Sequence, residues 1–265
     1  MSGFSTDWLA LRKPADEAAR ARTVLEACRA YFANRSALTV CDVGAGTGAA
    51  IAAFGPYIPP KQHWILVDSD PASLEEARRN QQVSGASLET RIADLADNPA
   101  PWPHNCGLVT ATALFDLANS AWIARVCDRL AADRLPLLAT LTYDGHQEFV
   151  PFHASDAEML EAFNRHQRLD KGLGGPAAGP EGASLLAAAL RKRGYRLILG
   201  NSPWRLSAST DSLLIAATLR AWTSAVTEAG FVDPALANDW LAARLFNTQA
   251  FIVGHTDLFA APPVR

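Results

Sequence analysis

Positive charge is the first thing this sequence lacks. Its 24 Lys and Arg residues face 27 Asp and Glu, for a net charge of -3, so no global positive field draws the chain to nucleic acid or to an anionic membrane. Nucleic-acid partners are therefore disfavoured. No uncharged apolar run approaches the roughly 20 residues needed to cross a bilayer, which argues against a membrane-spanning helix. The first eleven residues are polar and mixed, without a basic stretch leading into an apolar one, so the expected location is the cytoplasm. The four cysteines, Cys28, Cys41, Cys106 and Cys127, include no C-x-x-C pair. They read as buried reduced thiols rather than as a disulfide framework. His146, His153 and His166 match no tight ligand spacing and H-E-x-x-H is missing, so no metal is expected. What remains is globular: 49% of the 265 residues are hydrophobic and 19% charged, enough for one large core.

The apolar residues are organised by period. Val24, Leu25, Cys28, Tyr31 and Phe32 recur at helical spacing and predict a leading helix over 14–35, with Pro14 in its first turn. Short apolar runs at 38–43, 63–67, 87–93, 108–114 and 135–142 read as strands. Between them, 47–54, 71–83 and 120–132 read as helices. Strands that are continuous apolar runs, alternating with helices, indicate a parallel sheet covered on both faces.

After Tyr143 this rhythm breaks. The segment 145–182 reads as a long loop or lid around one short helix, for which Ser155 and Glu158 suggest a capping box. Its last part, 172–182, holds five glycines and two prolines, and loops of this length in compact domains are usually functional. Further helices at 181–192, 211–229 and 234–245 and strands at 195–199 and 250–254 follow. The expected fold is a single α/β domain over 1–265: a doubly wound, mostly parallel seven-stranded sheet with helices on both faces. Its parts are a leading helix at 14–35, a core at 36–143, a helical lid and insert at 144–248 and a last strand at 249–255.

Between the first strand and the following helix stands Asp42-Val-Gly44-Ala45-Gly46-Thr-Gly48. Glycine there lets backbone approach a ligand closely. Gly44, Gly46 and Ala49 also satisfy G-x-G-x-x-G/A with Asp68 about 20 residues onward, so this pattern alone leaves a nicotinamide dinucleotide open. The wider pattern resembles motif I of the class I S-adenosylmethionine (SAM)-dependent methyltransferases, in which an acidic residue precedes G-x-G-x-G; here Asp42 precedes Gly44, Gly46 and Gly48. Asp68-Ser69-Asp70-Pro71 looks like the element closing the family's second strand, whose acid binds the ribose hydroxyls. A carboxylate suits that task because it accepts from both vicinal hydroxyls. Asp94-Leu95 is similar to the third-strand element that contacts the adenine. The resemblance covers roughly 36–142 and implies SAM as cofactor, held by Asp42, Gly44, Ala45, Gly46, Gly48, Asp68, Ser69, Asp94, Leu95 and Thr112.

Methyl transfer from a sulfonium is an in-line displacement that depends on alignment and exclusion of water. The fourth and fifth strands would deliver Phe115, Asp116 and Tyr143 to the pocket. The lid helix offers His166 and Asp170, one turn apart, as a carboxylate-oriented base, followed by Lys171. The expected catalytic set is His166, Asp170 and Tyr143, and the expected acceptor set is Phe115, Asp116, His153, Lys171 and Trp204. The inserted cover points to a small-molecule acceptor. The alternatives are an RNA or protein methyltransferase, an NAD(P)-dependent oxidoreductase and a SAM-binding protein without catalysis. The acceptor atom and the oligomeric state have no signature in the sequence.

Overall fold

The computed structural model describes residues 6–81 and 87–263. The chain opens with two helices where one was expected: α1 (Thr6–Ala19) and α2 (Arg22–Phe32). Pro14 lies inside α1, not in a first turn. The break comes at Ala21, whose N–H turns away from the helix to donate to the buried carboxylate of Asp257 at 2.8 Å. α2 buries Val24, Leu25, Cys28 and Phe32, the stripe legible from spacing.

The chain then alternates. β1 (Ala37–Val43), α3 (Ala49–Phe54), β2 (Lys61–Asp68), α4 (Pro71–Gln81), β3 (Ser87–Ile92), β4 (Leu108–Thr112), α5 (Ser120–Asp133) and β5 (Leu137–Val150) lead into α6 (Asp156–Gln167) and α7 (Gly182–Lys192). The rest is β6 (Arg196–Asn201), β7 (Trp204–Ser207), α8 (Ala208–Glu228), α9 (Pro234–Asn247) and β8 (Ala250–Ala261). Position 83, the expected end of α4, lies outside the described residues.

The sheet runs β3-β2-β1-β4-β5-β8-β6, with β7 paired to β8. The first five strands are parallel, for example Cys41 opposite Ile65 and Val109, and β8 is antiparallel to its neighbours. The doubly wound, mostly parallel architecture is therefore present, with β7 as an eighth strand. One face is covered by α2, α3 and α4, where Phe32, Phe54 and Leu74 pack on Val40, Trp64 and Leu66. The other is covered by α5 and α7, where Trp122, Val126, Leu186 and Leu190 pack on Val109, Ala139 and Leu258. A third cluster joins α1, α6, α8 and α9 through Tyr143, Phe163, Trp204, Trp240 and Phe251.

β5 and β8 are longer than their apolar runs. They pair from Leu137 opposite Ala260 to Val150 opposite Ala250, with register shifts after Ala139 and after Tyr143. Residues 144–148 are Asp, Gly, His, Gln and Glu, without strand alternation; 144–146 form the bulge and Gln147 and Glu148 pair with Val253 and Ile252, so the expected lid begins as strand. The Ser155 capping box does not form. Ser155 precedes α6 with near-helical dihedrals (φ -87, ψ 3) and no side-chain capping bond, while the Asp156 carboxylate accepts from the His153 N–H at 2.9 Å. Among the described residues no helix is long and apolar enough to cross a membrane.

Candidate cofactor and acceptor site

β1 and β4 are neighbours while their following helices lie on opposite faces, which opens a crevice at the carboxyl ends of the strands. The glycine loop sits there. Gly44, Gly46 and Gly48 adopt φ of +67, +50 and +77, a region that side chains disfavour. A side chain on Gly48 would also meet Ala77 Cβ and Leu66 Cδ1, both at 3.1 Å. The loop hangs on the end of β2: the Val67 carbonyl accepts from the Gly44 and Ala45 N–H groups at 2.9 and 3.1 Å. Asp68 Oδ2 accepts from the Gly46 N–H at 2.8 Å, and its Oδ1 from the Asp70 N–H at 3.0 Å. Each of these oxygens keeps a second lone pair.

Asp42 is buried, and Thr110 Oγ1 donates to its Oδ1 at 2.6 Å. Burial pushes its carboxyl up to about 7. A folded-state value above the unfolded one means that the native protein holds a proton the unfolded chain releases, so this group's contribution to stability falls as pH rises from about 4 to 7. Asp42→Asn is expected to flatten that dependence, with a higher melting temperature than wild type at pH 8 and no gain near pH 4. Thermal denaturation at the two pH values checks it.

The remaining expected cofactor residues come from the ends of β2, β3 and β4. Ser69 and Asp94 are exposed, Asp94 Oδ1 accepting from the Ala96 N–H at 2.8 Å. Leu95 is buried, and its carbonyl accepts from Trp122 Nε1 at 2.6 Å. Thr112 Oγ1 lies 3.1 Å from Thr140 Oγ1. The glycine loop, the Asp68 carboxylate and buried Leu95 beside the Asp94 carboxylate thus lie at the carboxyl ends of neighbouring strands, a set whose chemistry suits an adenosyl group.

Over the loop stand residues that sequence reasoning missed. α1 roofs the loop, with Leu9 Cδ1 3.5 Å from where a Gly46 side chain would begin. One turn on, Arg12 pairs with Asp16 through two bonds of 2.9 and 3.1 Å. The Arg12 guanidinium stands 5.0 Å from the Trp204 ring centroid, and Trp204 Nε1 donates to Asp16 Oδ1 at 2.9 Å. Behind Trp204 lies His255, ring centroids 5.2 Å apart. Burial pushes His255 down to about 3, so it is neutral. The only local signal for this group was the i, i+4 spacing of Arg12 and Asp16.

Phe115 and Asp116 are buried just past the end of β4. Tyr143 is fixed: its hydroxyl donates to Asn164 Oδ1 at 2.8 Å and accepts from Gln147 Nε2 at 2.9 Å, while burial pushes the phenol well above its ordinary value. Its site role is thus positional. His166 Nδ1 is 3.4 Å from Lys171 Nζ; burial, then the Lys171 charge, lowers its pKa. Burial lowers Lys171, opposed by the charge of Asp116.

Two expected residues stand elsewhere. Asp170 is exposed and accepts from the Gly172 N–H at 2.7 Å, so it does not orient His166. The helix ends at Gln167, and beyond it one-turn spacing no longer places side chains on one face. His153 sits in the turn before α6, its Nδ1 accepting from the Ser155 N–H at 3.2 Å. The 12-residue helix then separates it from His166 by roughly 18 Å. His146 is exposed, 4.0 Å from Glu148.

A cleft of about 1030 Å³ lies at the opposite, amino ends of β1 and β2, lined by Arg35, Lys61, His63 and Ser87. It is far from the glycine loop and does not bear on the cofactor. A second groove of about 810 Å³ runs between α1 and the β5–β8 bulge.

Residues 40–132 match the family model for a methyltransferase domain, the span from β1 through α5 that carries the loop, Asp68 and Asp94. No curated protein matches the chain by sequence. Among solved structures, a cyclopropane-fatty-acyl-phospholipid synthase-like protein from Lactobacillus casei is similar over 96% of this chain and 99% of its own, at 15% identity and a TM-score of 0.55. The cyclopropane synthase MmaA2 from Mycobacterium tuberculosis is similar over 97% and 94%, at 13% identity and a TM-score of 0.54. The YcgJ protein from Bacillus subtilis is similar over 92% and 100%, at 15% identity and a TM-score of 0.53. At these identities the likeness is one of fold. The chain thus carries a methyltransferase domain over residues 40–132. The protein is accordingly a SAM-dependent methyltransferase, and SAM is its cofactor.

Proposed function

We propose that the acceptor is a small molecule enclosed beneath α1 and the 170–182 segment. The observation that supports this reading is the position of α1: Leu9 stands over Gly46, and Arg12 is paired with Asp16, which also holds Trp204, so a helix lies over the glycine loop. A macromolecule would need a broad accessible face there. The formal charge of -3 also disfavours RNA.

In this reading the backbone of Gly44, Ala45, Gly46 and Gly48 bears on the methionine part of the cofactor, with Asp42 behind it. Asp68 and Ser69 hold the ribose, Asp94 and Leu95 the adenine, and Thr112 closes the β4 side. Phe115, Asp116, Lys171 and Trp204 line the acceptor, while Tyr143 holds α6 and so places His166. Bound SAM supplies a methyl group activated by positive sulfur. The protein aligns the acceptor and excludes water.

The test is incubation with radiolabelled SAM and separate small-molecule, RNA and protein fractions of a cell extract. Label is expected in the small-molecule fraction. Label in RNA or protein instead would overturn the small-molecule reading.

A further inference from the structure

Asp116 is 7% exposed, and its Oδ1 has no hydrogen-bond partner. A buried carboxylate oxygen without a donor is costly, and such groups call for a specific explanation. The surroundings hold the residue firmly. The Gly179 N–H donates to the Asp116 carbonyl at 2.9 Å. Gly182 packs so closely that a side chain there would lie 2.7 Å from the Phe115 carbonyl oxygen and 2.8 Å from Asp116 Cα. The 170–182 segment therefore packs directly on the backbone that carries the carboxylate.

The neighbouring donors do not complete it. Arg12, facing it from α1, spends its paired N–H groups on Asp16. Lys171, on the 170–182 segment, acts through its charge, and its amine lies 3.4 Å from His166 Nδ1. From β5, the Tyr143 backbone N–H stabilises the ionised form, as does the N–H of Asp116 itself, but the Tyr143 hydroxyl is taken by Asn164 and Gln147. Burial outweighs all of these and pushes the carboxyl up to about 6, leaving it ionised at neutral pH and able to take a proton.

Resting on the reading above, we propose that Asp116 is the proton acceptor of the reaction, and that the methyl acceptor reacts through an oxygen or nitrogen that carries hydrogen. As the lone pair of that atom bonds to the methyl carbon, the carbon–sulfur electron pair returns to sulfur. The hydrogen of the reacting atom passes to Asp116 Oδ1 as a proton. Ionised carboxylate, cationic donor and neutral acceptor thus become neutral acid, neutral thioether and methylated product, and the proton leaves to water when the product is released. A thioether acceptor, with no hydrogen to lose, would have no use for this carboxylate.

The test compares wild type with Asp116→Asn, using phenol and benzylamine as minimal acceptors and thioanisole as the hydrogen-free control. Wild type is expected to methylate phenol or benzylamine with kcat/KM rising through about pH 6. The variant should lose roughly 100-fold or more in kcat and the pH dependence with it, while binding S-adenosylhomocysteine within twofold of wild type. A readout independent of turnover is the melting temperature. Because the folded-state value is raised, ionisation destabilises the native protein, so Asp116→Asn should melt higher than wild type at pH 8 and no higher near pH 4. Unchanged kcat and pH profile in the variant, or methylation of thioanisole alone or of no probe, would overturn the assignment. Failure of wild type to bind S-adenosylhomocysteine would instead overturn the functional reading on which it rests.

Discussion

Replacing Arg244 by methionine is expected to destabilise the protein by about 3–5 kcal/mol, the cost of breaking a buried ion pair from one side. Arg244 is 2% exposed. Its Nη2 and Nε donate to Asp156 Oδ2 and Oδ1 at 2.6 and 2.9 Å, and its Nη1 to the Pro151 carbonyl at 2.7 Å. Trp240 Nε1 donates to the same carboxylate at 2.9 Å, and the guanidinium lies 4.6 Å from the Phe149 ring centroid. One side chain thus ties α9 to the start of α6 and the end of β5. Without it Asp156 stays largely buried and loses its only cationic partner in this cluster. The melting temperature should fall by roughly 6–20 °C, and Asp156→Asn in the same chain should recover part of the loss. A fall below about 1 kcal/mol by urea denaturation would show that the pair is not structural.

The second large effect is expected at Asp68. The Asp68→Ala substitution removes the acceptor proposed for the ribose and also the bonds its carboxylate accepts from the Gly46 and Asp70 N–H groups. Affinity for S-adenosylhomocysteine should fall roughly 5- to 150-fold, corresponding to about 1–3 kcal/mol. Stability should fall by about 1 kcal/mol as well, through the lost loop bonds. Asp68→Asn, which keeps one acceptor oxygen, should lie between the two proteins in both measurements. Unchanged cofactor affinity in Asp68→Ala would reject its place at the ribose.

The parts of the molecule that were legible are those where chemistry is local. The loop from Asp42 to Gly48 needs positive φ at Gly44, Gly46 and Gly48, and glycine announces that in any sequence. The parallel strands are short apolar runs whose length and order read directly. Local pattern failed where partners distant in sequence decide the outcome. Residues 144–148 look like loop, yet Gln147 and Glu148 pair with β8 and 144–146 form the bulge that joins them to Tyr143. The leading helix breaks at Ala21 because Asp257, far along the chain, takes its N–H. His166 and Asp170 share a helical face on paper, but the helix stops at Gln167 and the carboxylate turns to Gly172. Of the residues proposed to line the acceptor, Phe115, Asp116, Lys171 and Trp204 rest on the sequence pattern. Arg12, Asp16 and His255, which gather around Trp204, had no such pattern, because α1 and β8 meet β7 only through tertiary packing.

The central claim is that the glycine loop, Asp68 and Asp94 hold an adenosyl cofactor that ends in methionine and not a dinucleotide. Isothermal titration of the purified protein with S-adenosylhomocysteine and, separately, with NADH tests this most directly. The account predicts saturable one-site binding of S-adenosylhomocysteine, weakened in Asp68→Ala, and no binding heat with NADH. Saturable binding of NADH with none of S-adenosylhomocysteine would contradict it.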